Sequence, residues 1–393
     1  MKIVLANTII SIDSDIYEML FDNSWIHLER KYQKSLSTGE VRFADFVELA
    51  RKADIPYSIF FSPRQMVINL IDLKYKKLLS GISLSKTLLM NSRGIVQIKD
   101  VELIVKDIMR KQELLKRKSS LGPNEICSCL RRSKASIIDQ ANYIKAILNF
   151  DNEEIKVKNK SQTYRYIIDL LESKNVFVSQ SSNNYMPQRI RSEVRFSGFC
   201  VKDKLIPFIF LNNKEDHALY EQEGRRVLTL VLLTVCLAKG RYMPVKFNEQ
   251  SKNIIRKREY EIVEEILMPS AEFKNIHVDS LADIKEIGER YSVTPSAVAM
   301  RLRRLAVINE YDLAEYLNDL ASEFNSLRNN DKRRPRNPSI ENGFAKYNSL
   351  GYSKAIMKAF DEGRIDGTEI IKTLFKKKGK VELLYNYRAK LKI

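Results

Sequence analysis

Residues Val227 to Ala238 form the longest apolar run in the chain, twelve positions without a charge. That is well short of the ~20 residues a membrane span requires, so the run has to be buried in protein. A short apolar run has no period of its own and reads either as a core helix or as a core strand. Val227, Thr229, Val231, Thr234 and Val235 are β-branched and favour a strand. The preceding segment favours a helix. Val176 to Val178, Val194 to Cys200 and Leu205 to Leu211 are strand candidates, the last two split by Lys202-Asp203-Lys204. Followed by Asn212-Asn213, they predict a small antiparallel sheet feeding a central helix.

Around this run lie 393 residues, 44% hydrophobic and 30% charged, enough for two or three domains with real cores. The charge balance is unusual: 67 Lys+Arg against 49 Asp+Glu, a net +18 that favours an acidic partner such as nucleic acid. From Asp331 onward there are 16 Lys+Arg against 7 Asp+Glu, so half of the surplus belongs to the last stretch. His27, His217 and His277 are the only histidines, and no two lie within a helical turn, which argues against a histidine-built zinc hydrolase. Cys127, Cys129, Cys200 and Cys236 do not amount to a disulfide framework and read as free, partly buried thiols in a reducing compartment. The short apolar start has no cleavage site before Asp13 and Asp15, so a cytoplasmic chain without membrane partner or cofactor is expected.

Composition divides the chain into 1–68, 69–159, 160–328 and 329–393. In the first segment Phe43, Phe46, Leu49 or Ala50, and Ala53 share a helical face, ended by Asp54-Ile55-Pro56. The aromatic cluster Tyr57 to Phe61 follows, and the whole reads as a helix-turn-helix-like bundle or a packed helical cap. Residues 95–150 read as two long helices, with Lys and Arg at 110–118 complementing a helix C-terminus. Asn329 to Pro338, with Arg333, Arg334 and Arg336, has the composition of a linker; a Lys-rich helical tail with Lys376, Lys377 and Lys378 follows. The fold class expected is α+β, mostly helical.

Several of these stretches resemble ImmA/IrrE-type metallopeptidases. Arg195-Phe196-Ser197-Gly198-Phe199, then Ile206-Pro207-Phe208-Ile209-Phe210-Leu211-Asn212-Asn213, resembles the strands before that family's zinc helix. Arg225 to Leu230 stands where the helix begins. Glu261 to Pro269, ending in Leu267-Met268-Pro269, resembles the downstream L-L-M-P segment, and Ile287 to Leu305 the A-x-x-F-x-V-S-x-x-A-x-x-x-R-L segment. Phe43 to Pro63 resembles the end of the repressor-like helix-turn-helix that long members carry, and Gly363-Arg364-Ile365-Asp366 a turn in their tails. The resemblance implies a zincin-like helical domain with a small antiparallel sheet, flanked by helical N- and C-terminal domains. It also places the two zinc histidines at Leu232 and Cys236, the catalytic glutamate at Leu233, and the third ligand near Arg258, with Glu259 and Glu261 close by.

None of those four positions keeps the family's residue. Zinc hydrolysis needs neutral imidazoles on the metal and a carboxylate to take a proton from bound water, which leucine cannot supply. Burying a leucine instead stabilises a core by roughly 1.5–3 kcal/mol. The expectation is a pseudo-enzyme in a phage or mobile-element setting that regulates transcription by holding a repressor-like protein, DNA or both. Arg301, Arg303 and Arg304, with the linker arginines and Lys376 to Lys378, are the residues proposed to contact partner or phosphate. The alternative is an active endopeptidase or other hydrolase using a non-standard site, Cys236 among its candidates.

Overall fold

In the computed structural model the described residues are 1–82, 98–118, 121–182, 184–191, 194, 196–212, 223–242, 257–330, 338–375 and 381–392. Among them the chain is α+β and mostly helical, with two three-stranded sheets. It divides into two compact units, residues 1–111 with 186–195, and residues 112–185 with 196–393. The segment expected at 69–159 is therefore shared between them.

The first unit opens with a hairpin absent from the sequence expectations. β1 (Lys2–Leu5) and β2 (Thr8–Ser11) pair antiparallel, and β3 (Glu40–Arg42) runs parallel to β1. Ala6 at the hairpin turn holds φ 49°, the left-handed region. Asp13 caps α1 (Ser14–Asp22), accepting from the Asp15 amide at 2.8 Å, and α2 (Arg30–Thr38) ends on left-handed Gly39. In α3 (Phe43–Lys52) the anticipated face is realised: Phe46, Leu49 and Ala50 are buried, as is Ala53 just beyond. Residues 57–61 form a 3₁₀ turn that turns Phe60 inward and leaves Tyr57 and Phe61 exposed. The core here is aromatic; Phe60 stands 4.8 Å from Phe21 and 5.0 Å from Phe46, ring centre to ring centre. α4 (Arg64–Ile82) and the start of α5 (Glu102–Lys118) complete the unit. Gln188 bonds the Leu103 amide and the Asp100 carbonyl, each at 2.6 Å.

The second unit is organised by one sheet and the helix behind it. β4 (Phe177–Gln180), β5 (Gly198–Val201) and β6 (Phe208–Leu211) come in the order β4-β6-β5. β5 and β6 form an antiparallel hairpin, but β4 pairs parallel to β6. The sheet is thus mixed, not antiparallel as the sequence suggested. Its cause is the long excursion after β4, which returns the chain at the far edge and leaves β6 to fill the middle.

α9 (Glu223–Ala238) contains the apolar run, which is helical. Every residue from Val227 to Ala238 is buried, because β5, β6, α8 (Lys160–Ser173) and α10 (Lys257–Leu267) surround it. Burial on all faces removes the amphipathic period and overrides the weaker helix preference of its valines and threonines. Gly198 lets the helix approach the sheet: a Cβ there would sit 2.4 Å from the Phe210 carbonyl oxygen and 2.6 Å from Leu233 Cδ1.

Beyond the linker, α15 (Ile340–Asn348), α16 (Leu350–Asp361), α17 (Gly367–Phe375) and α18 (Val381–Leu391) belong to this same unit. Tyr352 packs its ring 5.7 Å from both Phe177 and Phe208, and Ser179 Oγ donates to the Tyr347 carbonyl. Glu172 accepts at 2.6 Å from both Ser349 Oγ and the Gly351 amide.

Candidate functional site

Leu232, Leu233 and Cys236 lie on one stretch of α9, and all three are buried. Leu232 and Cys236, four residues apart, share a helix face. Leu233 packs toward Gly198, and its carbonyl accepts from Cys200 Sγ at 3.3 Å. On α10, Arg258 is exposed and donates to the Ala135 carbonyl, while Glu259 is buried. Glu259 Oε1 lies 3.3 Å from Arg241 Nε, and its Oε2 is buried without a hydrogen-bond partner. The inward carboxylate therefore sits one position past Arg258, where the resemblance had centred the third ligand.

The loop that carries Cys127 and Cys129 lies beside the end of α9. Gly240, at φ +67°, terminates the helix, with the Arg241 amide returning to the Cys236 carbonyl at 2.8 Å. The loop at 124–134 is stitched alongside: the Ser128 amide reaches the Leu237 carbonyl at 3.0 Å, and the Leu130 amide the Ala238 carbonyl at 2.8 Å. Tyr242 Oη then stands 2.5 Å from Ser128 Oγ and 3.7 Å from Cys127 Sγ. Burial pushes the Cys236 thiol up to about 12, and the Glu259 charge adds to it against Arg241. Burial likewise raises Cys129 to about 11 and lifts Cys200 well above the ordinary thiol range. Such thiols are protonated at neutral pH and are poor nucleophiles and poor metal ligands. Among the described residues no group of three or more His, Cys, Asp or Glu is placed to hold a metal ion.

The arginines of α13 (Pro295–Arg304) have internal partners. Arg301 is only 4% exposed; Nε donates to the Met268 carbonyl at 3.1 Å, and its other nitrogens meet Glu265 and, at 3.6 Å, Glu264. Arg304 Nη1 is 2.6 Å from Glu264, and Arg303 Nε 2.8 Å from Glu310. Burial raises the Glu264 pKa, opposed first by Arg304 and then by Arg301. Glu265 also accepts from the Ser270 amide and hydroxyl, each at 3.0 Å, so these charges brace the Leu267-Met268-Pro269 corner. Arg301 is thus withdrawn from any surface. Arg333, Arg334, Arg336, Lys376, Lys377, Lys378 and His217 lie outside the described residues.

Sequence reasoning named Glu259 only as a neighbour of Arg258, and missed that it turns inward and that Tyr242 reaches Ser128 and Cys127. Its available signal was Cys127-Ser128-Cys129 standing shortly before Arg131-Arg132, with Lys239-Gly240-Arg241 just past Cys236. No protein-family model, curated protein or solved structure matches the chain. No helix among the described residues is long and apolar enough to cross a membrane.

Proposed function

We propose that this chain is a catalytically inactive, cytoplasmic relative of the ImmA/IrrE-type metallopeptidases that regulates by binding a repressor-like protein, DNA or both. The observation that carries this reading is the packing of Leu232 and Leu233, both 0% exposed, on the helix where that chemistry would need a ligand and a base. Side chains so placed contribute core stability and present nothing to a substrate. The neutral Cys236 thiol adds no nucleophile.

A hydrolase reading draws on Glu259, the buried carboxylate with an unsatisfied oxygen. Metal analysis and partner capture separate the two. The binding reading expects zinc far below one ion per purified chain, and a repressor encoded nearby that co-purifies uncut after nuclease treatment. Stoichiometric zinc, or repressor cleavage that disappears in Glu259→Gln, overturns it.

A further inference from the structure

Six cations surround the C-terminal end of α9: Arg131, Arg132 and Lys134 on the loop before α6 (Ile137–Leu148), Lys239 and Arg241 past the helix end, and Arg258 on α10. Their neighbourhood is fixed by contacts. A Cβ on Gly240 would fall 3.3 Å from Arg131 Cδ, so the glycine leaves room for that side chain. Arg258 is tied to the Ala135 carbonyl and Lys239 Nζ to Gln140 Oε1. Lys239 also feels its neighbours: its pKa is lowered by burial first and then by the Arg258 charge, with Arg241 acting the same way.

Helix-dipole complementation explains only part of this. Lys239 and Arg241 follow a helix C-terminus, where cations are favourable. Arg258, however, lies in the first turn of α10, and Lys134 precedes Ser136, the N-cap of α6. Both sit at the positive end of a helix, against the local preference. Neutralisation is also sparse among the described residues. Arg131, Arg132 and Lys134 are exposed and make no ion pair with any of them, Glu259 is buried against Arg241, and the Asp139 carboxylate accepts from Ser136.

We infer that this rim is a surface for the phosphodiester backbone of nucleic acid. Between the cations stand Ser133, Ala135, Ser136 and Gly240, small residues that admit a close polyanion. A protein partner draws its affinity from large aromatic or aliphatic anchors seated in pockets, which these small residues do not supply. Phosphate contacts need only positive charge and donors, and arginine dominates the set. The inference rests on the binding reading above and names one partner class within it.

The experiment is fluorescence anisotropy of the full-length protein with a labelled duplex of arbitrary sequence, between 50 and 200 mM salt. Three forms are compared: the wild type, Arg131→Ala/Arg132→Ala/Lys134→Ala, and Arg333→Ala/Arg334→Ala/Arg336→Ala, which removes the same charge from the linker. The loop variant is expected to bind about tenfold or more weakly, with a salt slope shallower by about 3. The linker variant should lose distinctly less. Because the three loop side chains make no ion pair among the described residues, the melting temperature should stay unchanged, which separates lost contacts from lost structure. A wild type that does not bind at 50 mM salt overturns the inference, as does equal loss from loop and linker. Zinc content and repressor capture are unaffected by either result, so the broader binding reading stands or falls separately.

Discussion

Truncating Leu233 to alanine tests whether the α9 face is core. The side chain is fully buried and its Cδ1 approaches the Gly198 backbone. Three carbons leave the interior, at ~0.8 kcal/mol each, a transfer loss of ~2.4 kcal/mol. A residual cavity of ~60 Å³ adds ~1.5 kcal/mol at ~24 cal/mol per Å³, for a total of ~4 kcal/mol. With a urea m-value of ~3 kcal/mol/M, the unfolding midpoint should fall by ~1.3 M at unchanged m. Leu232→Ala should behave alike, whereas Met300→Ala, on the exposed side of α13, should stay within ~0.5 kcal/mol. Circular dichroism of urea-equilibrated samples reads all three. A midpoint shift below ~0.3 M for Leu233→Ala would mean that the face lines an open cleft, and the assignment of α9 to packing would fail.

Arg301→Ala leaves the buried Glu265 without its cation and should cost ~3–5 kcal/mol, whereas Arg303→Ala, at an exposed pair, should cost at most ~1 kcal/mol; thermal melts that rank them the other way contradict the bracing role. Burial raises the Glu172 carboxyl to about 7 despite its bonds from Ser349 and Gly351. Since the folded state holds this proton more tightly than the unfolded one, stability should decline between about pH 4.5 and 7, by on the order of 3 kcal/mol for this group. Glu172→Gln should flatten that decline in melts recorded against pH, and an unchanged profile refutes the assignment. Iodoacetamide at pH 7 should leave Cys200 and Cys236 unmodified in the native protein and label both in urea, as mass spectrometry would show; rapid native labelling of Cys236 would instead revive a thiol mechanism.

Local pattern made some of this architecture readable in advance. The face of α3 follows from apolar spacing, the strands at 177–180, 198–201 and 208–211 from short β-type runs between turn residues, and the helical character from composition. Pairing was not readable in the same way, because no local signal says that β6 lies between β4 and β5. The helix at 223–238 was ambiguous for a physical reason: complete burial erases periodicity, and its β-branched residues point to the other structure. The placement of the candidate residues was legible unevenly. Leu232, Leu233 and Cys236 follow from helix register, but whether Arg258 or Glu259 turns inward depends on the rotation of α10. The Arg301–Glu265 ion pair joins residues 36 apart and becomes visible only when α10 and α13 meet.

β4 is an edge strand, and the C-terminal helices α15 and α16 lie against it. An uncovered sheet edge is a template for pairing with another chain. The basic tail therefore acts as a cover for the sheet, and a protein shortened before Asp331 would uncover Phe177, Phe208 and the free side of β4 together. Such a fragment should self-associate, whatever its charge.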